Sequence, residues 1–133
     1  MSNSHAAIAL VRDIAQTPAE WFGRQARVVG VLNDYIVADD LAVVEDTDGL
    51  LVDTKLLGDF GYHLGSTLML IGEVEKLEDS SLLPETLRPH HSVAIPVLRA
   101  RIIRCVDGID LALYKTALEI RRDFEKTWSA ASV

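Results

Sequence analysis

Three groups of residues have types and spacings that could do chemistry. His90 and His91 stand side by side with Glu85 as the nearest carboxylate, a set from which a metal-dependent hydrolase could draw ligands. Adjacent side chains seldom converge on one ion, and the usual zinc constellations space their ligands further apart. Gly58, Gly61 and Gly65 are spaced as in a loop that cradles phosphate. No Lys-Ser or Lys-Thr pair follows, and a strand comes next, so the cradle at a helix N-terminus is missing. Cys105 is the single cysteine, at an apolar strand end with no histidine near it in sequence. A buried thiol is the expectation there. These patterns point away from an enzyme, and no cofactor or metal is expected.

A different pattern runs from Arg104 to Trp128, RCVDGIDLALYKTALEIRRDFEKTW. Val106-Asp107-Gly108-Ile109 reads as a turn with Asp-Gly as its breaker pair. Asp110 is a good N-cap, because its carboxylate can accept from the open N–H groups of a first helical turn. No Gly or Pro interrupts Leu111 to Trp128. On a helix, Leu113, Ala117, Ile120, Phe124 and Trp128 form one apolar stripe, and Leu111, Tyr114 and Leu118 form a second beside it. The two stripes together cover about half the circumference, and Lys115, Glu119, Arg122 and Lys126 take the opposite face. Two readings stand: the whole apolar face is core, or one stripe packs on the domain and the other on a partner helix.

The elements that must position this helix come from the rest of the chain. With 133 residues and 49% hydrophobic content, the chain is one globular domain with a real core. No apolar run approaches the roughly 18 residues of a membrane span, and no basic start with an apolar stretch marks a signal peptide. A lone cysteine excludes an internal disulfide and fits a cytosolic or nuclear home. The net charge of −7 argues against strong autonomous nucleic-acid binding, because phosphate contacts are mostly Lys and Arg.

Ala6 to Ile14 has mixed periodicity and fits either a short strand or a helix. Thr17-Pro18-Ala19-Glu20 resembles a capping box with proline at the first helical position, ahead of Trp21, Phe22 and the stop at Gly23. Strand-like segments follow at 25–33, 35–46 with a break at Asp39-Asp40, 50–54, 66–77 and 93–106, with Thr47-Asp48-Gly49 as a hairpin turn. In the last of them Val97, Arg99, Arg101 and Ile103 alternate with Leu98, Ala100, Ile102 and Arg104. The glycine-rich stretch 54–65 reads as a short helix with loops. The polar stretch 78–92, with two prolines, reads as a long flexible loop. Gly30 and Gly72, inside strands, mark bends of the kind a small barrel needs at its corners.

The order β-β-β-α-β-β-α predicts a mainly-β chain: a single OB-fold domain, a five-stranded Greek-key barrel over about 25–106. It has a short helix between strands three and four and a long C-terminal helix over 110–128. In such a barrel a nucleic-acid groove crosses strands two and three and works by base stacking plus phosphate attraction. Its candidates are Arg27, Tyr35, Lys55, Arg99 and Arg101. Acids crowd the same walls at Asp34, Asp39, Asp40, Glu45, Asp46, Glu78 and Asp79, so weak DNA binding by the chain alone is the expectation.

The segments ARVVGVLNDY (26–35), LLVDTKLL (50–57), LGSTLMLIGEVE (64–75) and LRARIIRCVDGIDLALYKTALEIRRDF (98–124) resemble the TEN family, the smallest subunits of the telomeric CST complex. VDGIDL followed by a tyrosine-bearing terminal helix is the most specific of these. The resemblance covers roughly three quarters of the chain and departs from the family in the loop 78–92 and after Phe124. It implies an OB fold, a location in the nucleus at telomeres and an STN subunit as heterodimer partner. It further implies the large CTC subunit in the full complex, single-stranded G-rich DNA, limitation of telomerase and fill-in by DNA polymerase α–primase. Because the family joins its small subunits largely through C-terminal helices, Leu113, Tyr114, Ala117, Ile120, Arg121 and Phe124 are the candidate partner contacts. The smallest subunit of replication protein A has the same architecture and is the alternative.

Overall fold

A computed structural model of the chain describes residues 6–77 and 95–131. In chain order the elements are β1 (Ala7–Ile8), α1 (Val11–Gln16), β2 (Gln25–Ile36), β3 (Leu41–Asp46), β4 (Asp48–Asp53), β5 (Thr67–Leu77), β6 (Ile95–Cys105) and α2 (Leu111–Ala131). Short 3₁₀ turns lie at Pro18–Glu20, Val37–Asp39 and Lys55–Leu57, the last between β4 and β5. The sheet order is β1-β2-β3-β4-β6-β5, and β5 pairs again with β2, so the five long strands close on themselves. Closure with the parallel β4–β6 contact gives the five-stranded OB barrel.

Alternation explains which residues fill it. Along β5, Leu68, Leu70 and Val74 are shut from solvent, and Ala26, Val28 and Leu32 of β2 join the same core with Val44, Leu50, Val52, Leu98 and Ala100. Two glycines let the walls turn. Gly30 sits where β2 exchanges one neighbour for another: Val31 pairs with both Thr67 of β5 and Glu45 of β3. A Cβ on Gly30 would press on Glu45 O and Val44 Cβ at 3.3 Å each. A Cβ on Gly72 would collide with the backbone carbonyl of Arg99. The bulge in β6 falls opposite it, since Gly72 pairs with Ala100 and Ile71 with Ile102, leaving Arg101 unmatched. That extra residue reverses the in–out alternation of β6. Leu98 and Ala100 point inward before it, while Ile102 is exposed and Ile103 packs on the core after it, contrary to the single alternation expected from sequence.

The N-terminal stretch holds both structures left open by its pattern. β1 pairs in parallel with β2. α1 then buries Val11 and Ile14 in the barrel core. Thr17 does not cap the turn after it: its hydroxyl donates back to Asp13 O at 2.8 Å and closes α1 instead. Tyr35 and Ile36 belong to the first barrel strand, and the break falls at 37–40, where Asp40 takes the left-handed conformation at φ 52°. The β3–β4 hairpin is tighter than expected. Asp46 pairs with Asp48, Thr47 alone forms the apex at φ 66°, and Gly49 is already in β4. The stretch 78–92 lies outside the described residues.

Candidate partner helix and barrel groove

The turn before α2 is built as its residues require. Ile109 N–H donates to Val106 O at 3.1 Å, and Gly108 adopts φ 96°, which a Cβ would oppose. Asp107 does more than break the strand. Its carboxylate accepts from the Thr67 backbone N–H at 2.7 Å and ties the turn to the start of β5. That bond, and a second from the Cys105 thiol, hold the Asp107 carboxyl below the usual aspartate range. Cys105 is exposed, not buried, because it lies beyond the β6 bulge at the rim of the barrel. Asp110 caps α2 by accepting from Leu113 N–H at 3.0 Å.

On α2 the two apolar stripes separate. Of the inner stripe, Leu118 is 7% exposed, Leu111 is half-buried, and Tyr114 is half-buried with its hydroxyl shut from solvent. Tyr114 therefore faces the domain and not the outer surface where the partner candidates were placed. The outer stripe is bare: Leu113 is 64% exposed, Ile120 63%, Phe124 65% and Trp128 67%. Ala117 is exposed between them, and the Phe124 and Trp128 rings stack at 6.2 Å. Arg121 borders this stripe and is held by Glu125 one turn on, at 2.9 Å.

The charged side, opposite the outer stripe, is a seat on the body of the protein. Lys115 pairs with Asp46 at 2.9 Å, with side chains only 20% and 8% exposed. Arg122 pairs with Asp13 at 2.9 Å and donates to Ile8 O at 3.1 Å. Arg12 meets Glu119 at 3.2 Å. A helix normally turns its widest apolar face to the core and its charges to water, whereas α2 seats its smaller apolar stripe together with charged residues and leaves the larger stripe to water. The charge pattern was legible in sequence, but its acidic and basic partners lie more than 60 residues away in β3 or at the N-terminus. Only the fold brings them together.

The nucleic-acid candidates do not converge. A cleft of about 310 Å³ lies on the outer barrel face where an OB fold takes ligands, lined by Asp39, Leu41, Asp53, Lys55, Leu77 and Val97 among others. Lys55 is in it. Arg99 stands beside it on β6 but is engaged by Glu75 at 3.4 Å. Arg101, the bulge residue, donates to Gln25 Oε1. Arg27 sits on β2 opposite Ile8 and Ile71, away from that face. The ring of Tyr35 packs on Phe60 at 4.4 Å, and Phe60 on Tyr62 at 5.3 Å, in a ladder against the core. Low aromatic content hid that ladder, since its rings come from segments 25 residues apart. The apolar lining of the cleft is Leu41, Leu77 and Val97, which belong to a small cluster with Val43, Leu51 and Ile95. Glu85, His90 and His91 lie outside the described residues.

Comparison with known proteins adds to this geometry. A family model described as a telomere-capping CST complex subunit matches residues 2–127. CST complex subunit TEN1 of Arabidopsis thaliana is 32% identical over 105 residues, covering 78% of this chain and 72% of that protein. The Mus musculus subunit of the same name is 32% identical over 110 residues, covering 78% of this chain and 60% of that protein. Among solved structures, a chain of the S. pombe Stn1–Ten1 complex superposes with a TM-score of 0.65 at 14% identity, over 92% of this chain and 96% of that chain. A chain from the structure of U. maydis replication protein A bound to single-stranded DNA superposes with a TM-score of 0.60 at 14% identity, over 92% of this chain and 96% of that chain. At such identities the structural likeness establishes the fold.

Proposed function

This chain belongs to the telomere-capping family of CST complex subunits, and on that premise we propose that it is a non-enzymatic subunit holding an STN subunit through the outer stripe of α2. Leu113, Ala117, Ile120 and Phe124 form the contact, with Arg121 at its edge and Trp128 at its end. The observation that carries this reading is the bare stripe itself: four large apolar side chains in a row, each about two-thirds exposed, on a helix already seated by its other side. Soluble chains rarely leave such a contiguous patch without a partner, and interfaces concentrate their energy in a few aromatic and Arg anchors.

The boundaries that go with it are a barrel at about 25–106 and a partner-binding helix at 110–128. The nuclear, telomeric setting, the CTC subunit, limitation of telomerase and polymerase α–primase fill-in come from the family and are part of the same proposal. Single-stranded G-rich DNA is engaged mainly through the complex. On this chain Lys55, Arg99, Arg101, Arg27 and Tyr35 are dispersed, and the cleft carries Asp39, Asp53 and Glu75 against Lys55 and Lys76. A phosphate backbone gains little there.

Co-expression with the STN subunit of the same source, followed by size-exclusion chromatography with light scattering, tests the proposal. The expected result is a 1:1 heterodimer that is lost when residues after Ile109 are deleted. A chain that stays monomeric beside a folded STN subunit overturns it.

A further inference from the structure

α2 could in principle lie on the barrel either way round. At about 100° per residue, its seat (Leu111, Tyr114, Lys115, Leu118, Arg122) and its outer stripe (Leu113, Ala117, Ile120, Phe124) are centred roughly 150° apart. The outer stripe is the more apolar of the two, so burial of apolar surface alone would turn it inward. What opposes that rotation is charge. Only in the observed pose does Lys115 meet Asp46, Arg122 meet Asp13 and the Ile8 carbonyl, and Glu119 meet Arg12. Turned over, the helix would leave Asp46, a nearly buried carboxylate, without its cation, which is a costly arrangement.

The same seat shapes the surface beside the stripe. A pocket of about 270 Å³ is bounded by Ala6 and Ile8 on one side and by Leu118, Arg121, Arg122 and Glu125 of α2 on the other. It exists only while α2 is docked on β1. We propose that the acid–base seat formed by Asp46, Asp13 and Arg12 with Lys115, Arg122 and Glu119 is a positioning device. It selects which face of α2 points outward, and it joins the bare stripe and this pocket into one rigid surface for a partner helix. The inference rests on the partner-helix reading above and adds the residues that present the site from behind, of which only Arg122 also borders the pocket.

Two readouts separate this inference from that reading. The first needs no partner: acrylamide quenching of Trp128 fluorescence in a Trp21→Phe background. Lys115→Glu sets a carboxylate against Asp46 and turns the stripe toward the barrel, so quenching of Trp128 falls. The charge swap Lys115→Glu with Asp46→Lys restores it. The second is affinity for the STN subunit. A face presented only one-tenth of the time binds about tenfold more weakly, and the swap recovers that loss. Arg12→Glu alone and with Glu119→Arg repeats the cycle at an exposed pair where misfolding is no concern. Unchanged quenching and affinity in the single variants, or swaps that fail to rescue, overturn the inference. An STN subunit that ignores the wild-type chain overturns the proposed function instead, and the quenching series still decides on the seat.

Discussion

In β5 the side chains of Leu68, Leu70 and Val74 are sealed inside the barrel, whereas in α2 those of Leu113, Ile120 and Phe124 are about two-thirds open to water. Both elements carry apolar residues at the spacing of their own period. The strand has no freedom in using them, because Leu68 and Leu70 are paired on both sides, Val74 is paired with Leu98 of β6, and alternation fixes one face inward. The helix satisfies its own backbone and needs only an anchor. It finds one in Leu118 and three acid–base pairs, and none of its described side chains enters the main core cluster. The lesson is that apolar periodicity says which residues share a face, while the charges on the opposite face decide whether that face is turned in or out.

The comparison breaks if the two kinds of apolar residue behave alike. Leu98 is fully buried, and Leu98→Ala is expected to cost about 2–5 kcal/mol. Phe124→Ala is expected to stay within about 0.5 kcal/mol of wild type, as for a surface change. Urea denaturation of the two variants in parallel decides it, and an equal loss would mean that the outer stripe is covered within the chain itself. Phe124→Glu then exchanges the readout. Affinity for the STN subunit should fall at least about thirtyfold, the effect of losing roughly 2 kcal/mol at an interface anchor, with the urea midpoint unmoved. Unaltered affinity would place the contact on another face.

A smaller effect sharpens the contrast at the start of α2. Asp110→Ala removes the cap on Leu113 N–H and should cost about 1 kcal/mol. The loss should appear as faster amide exchange in the first turn of α2, with β5 and β6 amides unchanged, because α2 and the barrel are separate units of packing. Acceleration across the barrel strands as well would mean that the two open together.

Much of this was legible in the chain. Strand order, the corner glycines, the Asp110 cap and the two stripes of α2 all follow from period and turn chemistry, which act over a few residues. What escaped depends on pairings far apart in sequence. The β6 bulge is invisible until Gly72 is set opposite Ala100, and it decides that Cys105 is exposed and that Ile102 and Ile103 exchange sides. The docking role of Lys115 and Arg122 needs Asp46 and Asp13 beside them. Of the nucleic-acid candidates, only Lys55 lines the barrel cleft. Residue type marks a cation but not the face on which closure leaves it, and Arg99 spends its charge on Glu75.

The joint between the two regions offers the finest test, through pH. Asp107 accepts from the Thr67 N–H and then from the Cys105 thiol, and both favour its charged form, so its folded pKa lies below its unfolded one. The unfolded chain therefore binds the proton more readily. The stabilisation from Asp107 is complete above the unfolded pKa and is lost as pH falls through the lowered folded value. From neutral pH down to about 5 the turn should be unchanged, and below that it should loosen. An NMR titration should place the Asp107 carboxyl below the unperturbed aspartate value of about 3.9, with the Thr67 amide shift moving at the same midpoint. Asp107→Asn keeps an oxygen that can accept from Thr67 but cannot ionise, so the Thr67 amide should lose that transition. If Asp107 titrates normally while the Thr67 amide stays still, the Asp107 carboxylate does not fasten the turn, and the Val106 N–H donated to Thr67 O at 2.8 Å is its tie to β5. The direction in which α2 leaves the barrel would then rest on that backbone bond, on Gly108, and on the seat made by Leu118 and the acid–base pairs.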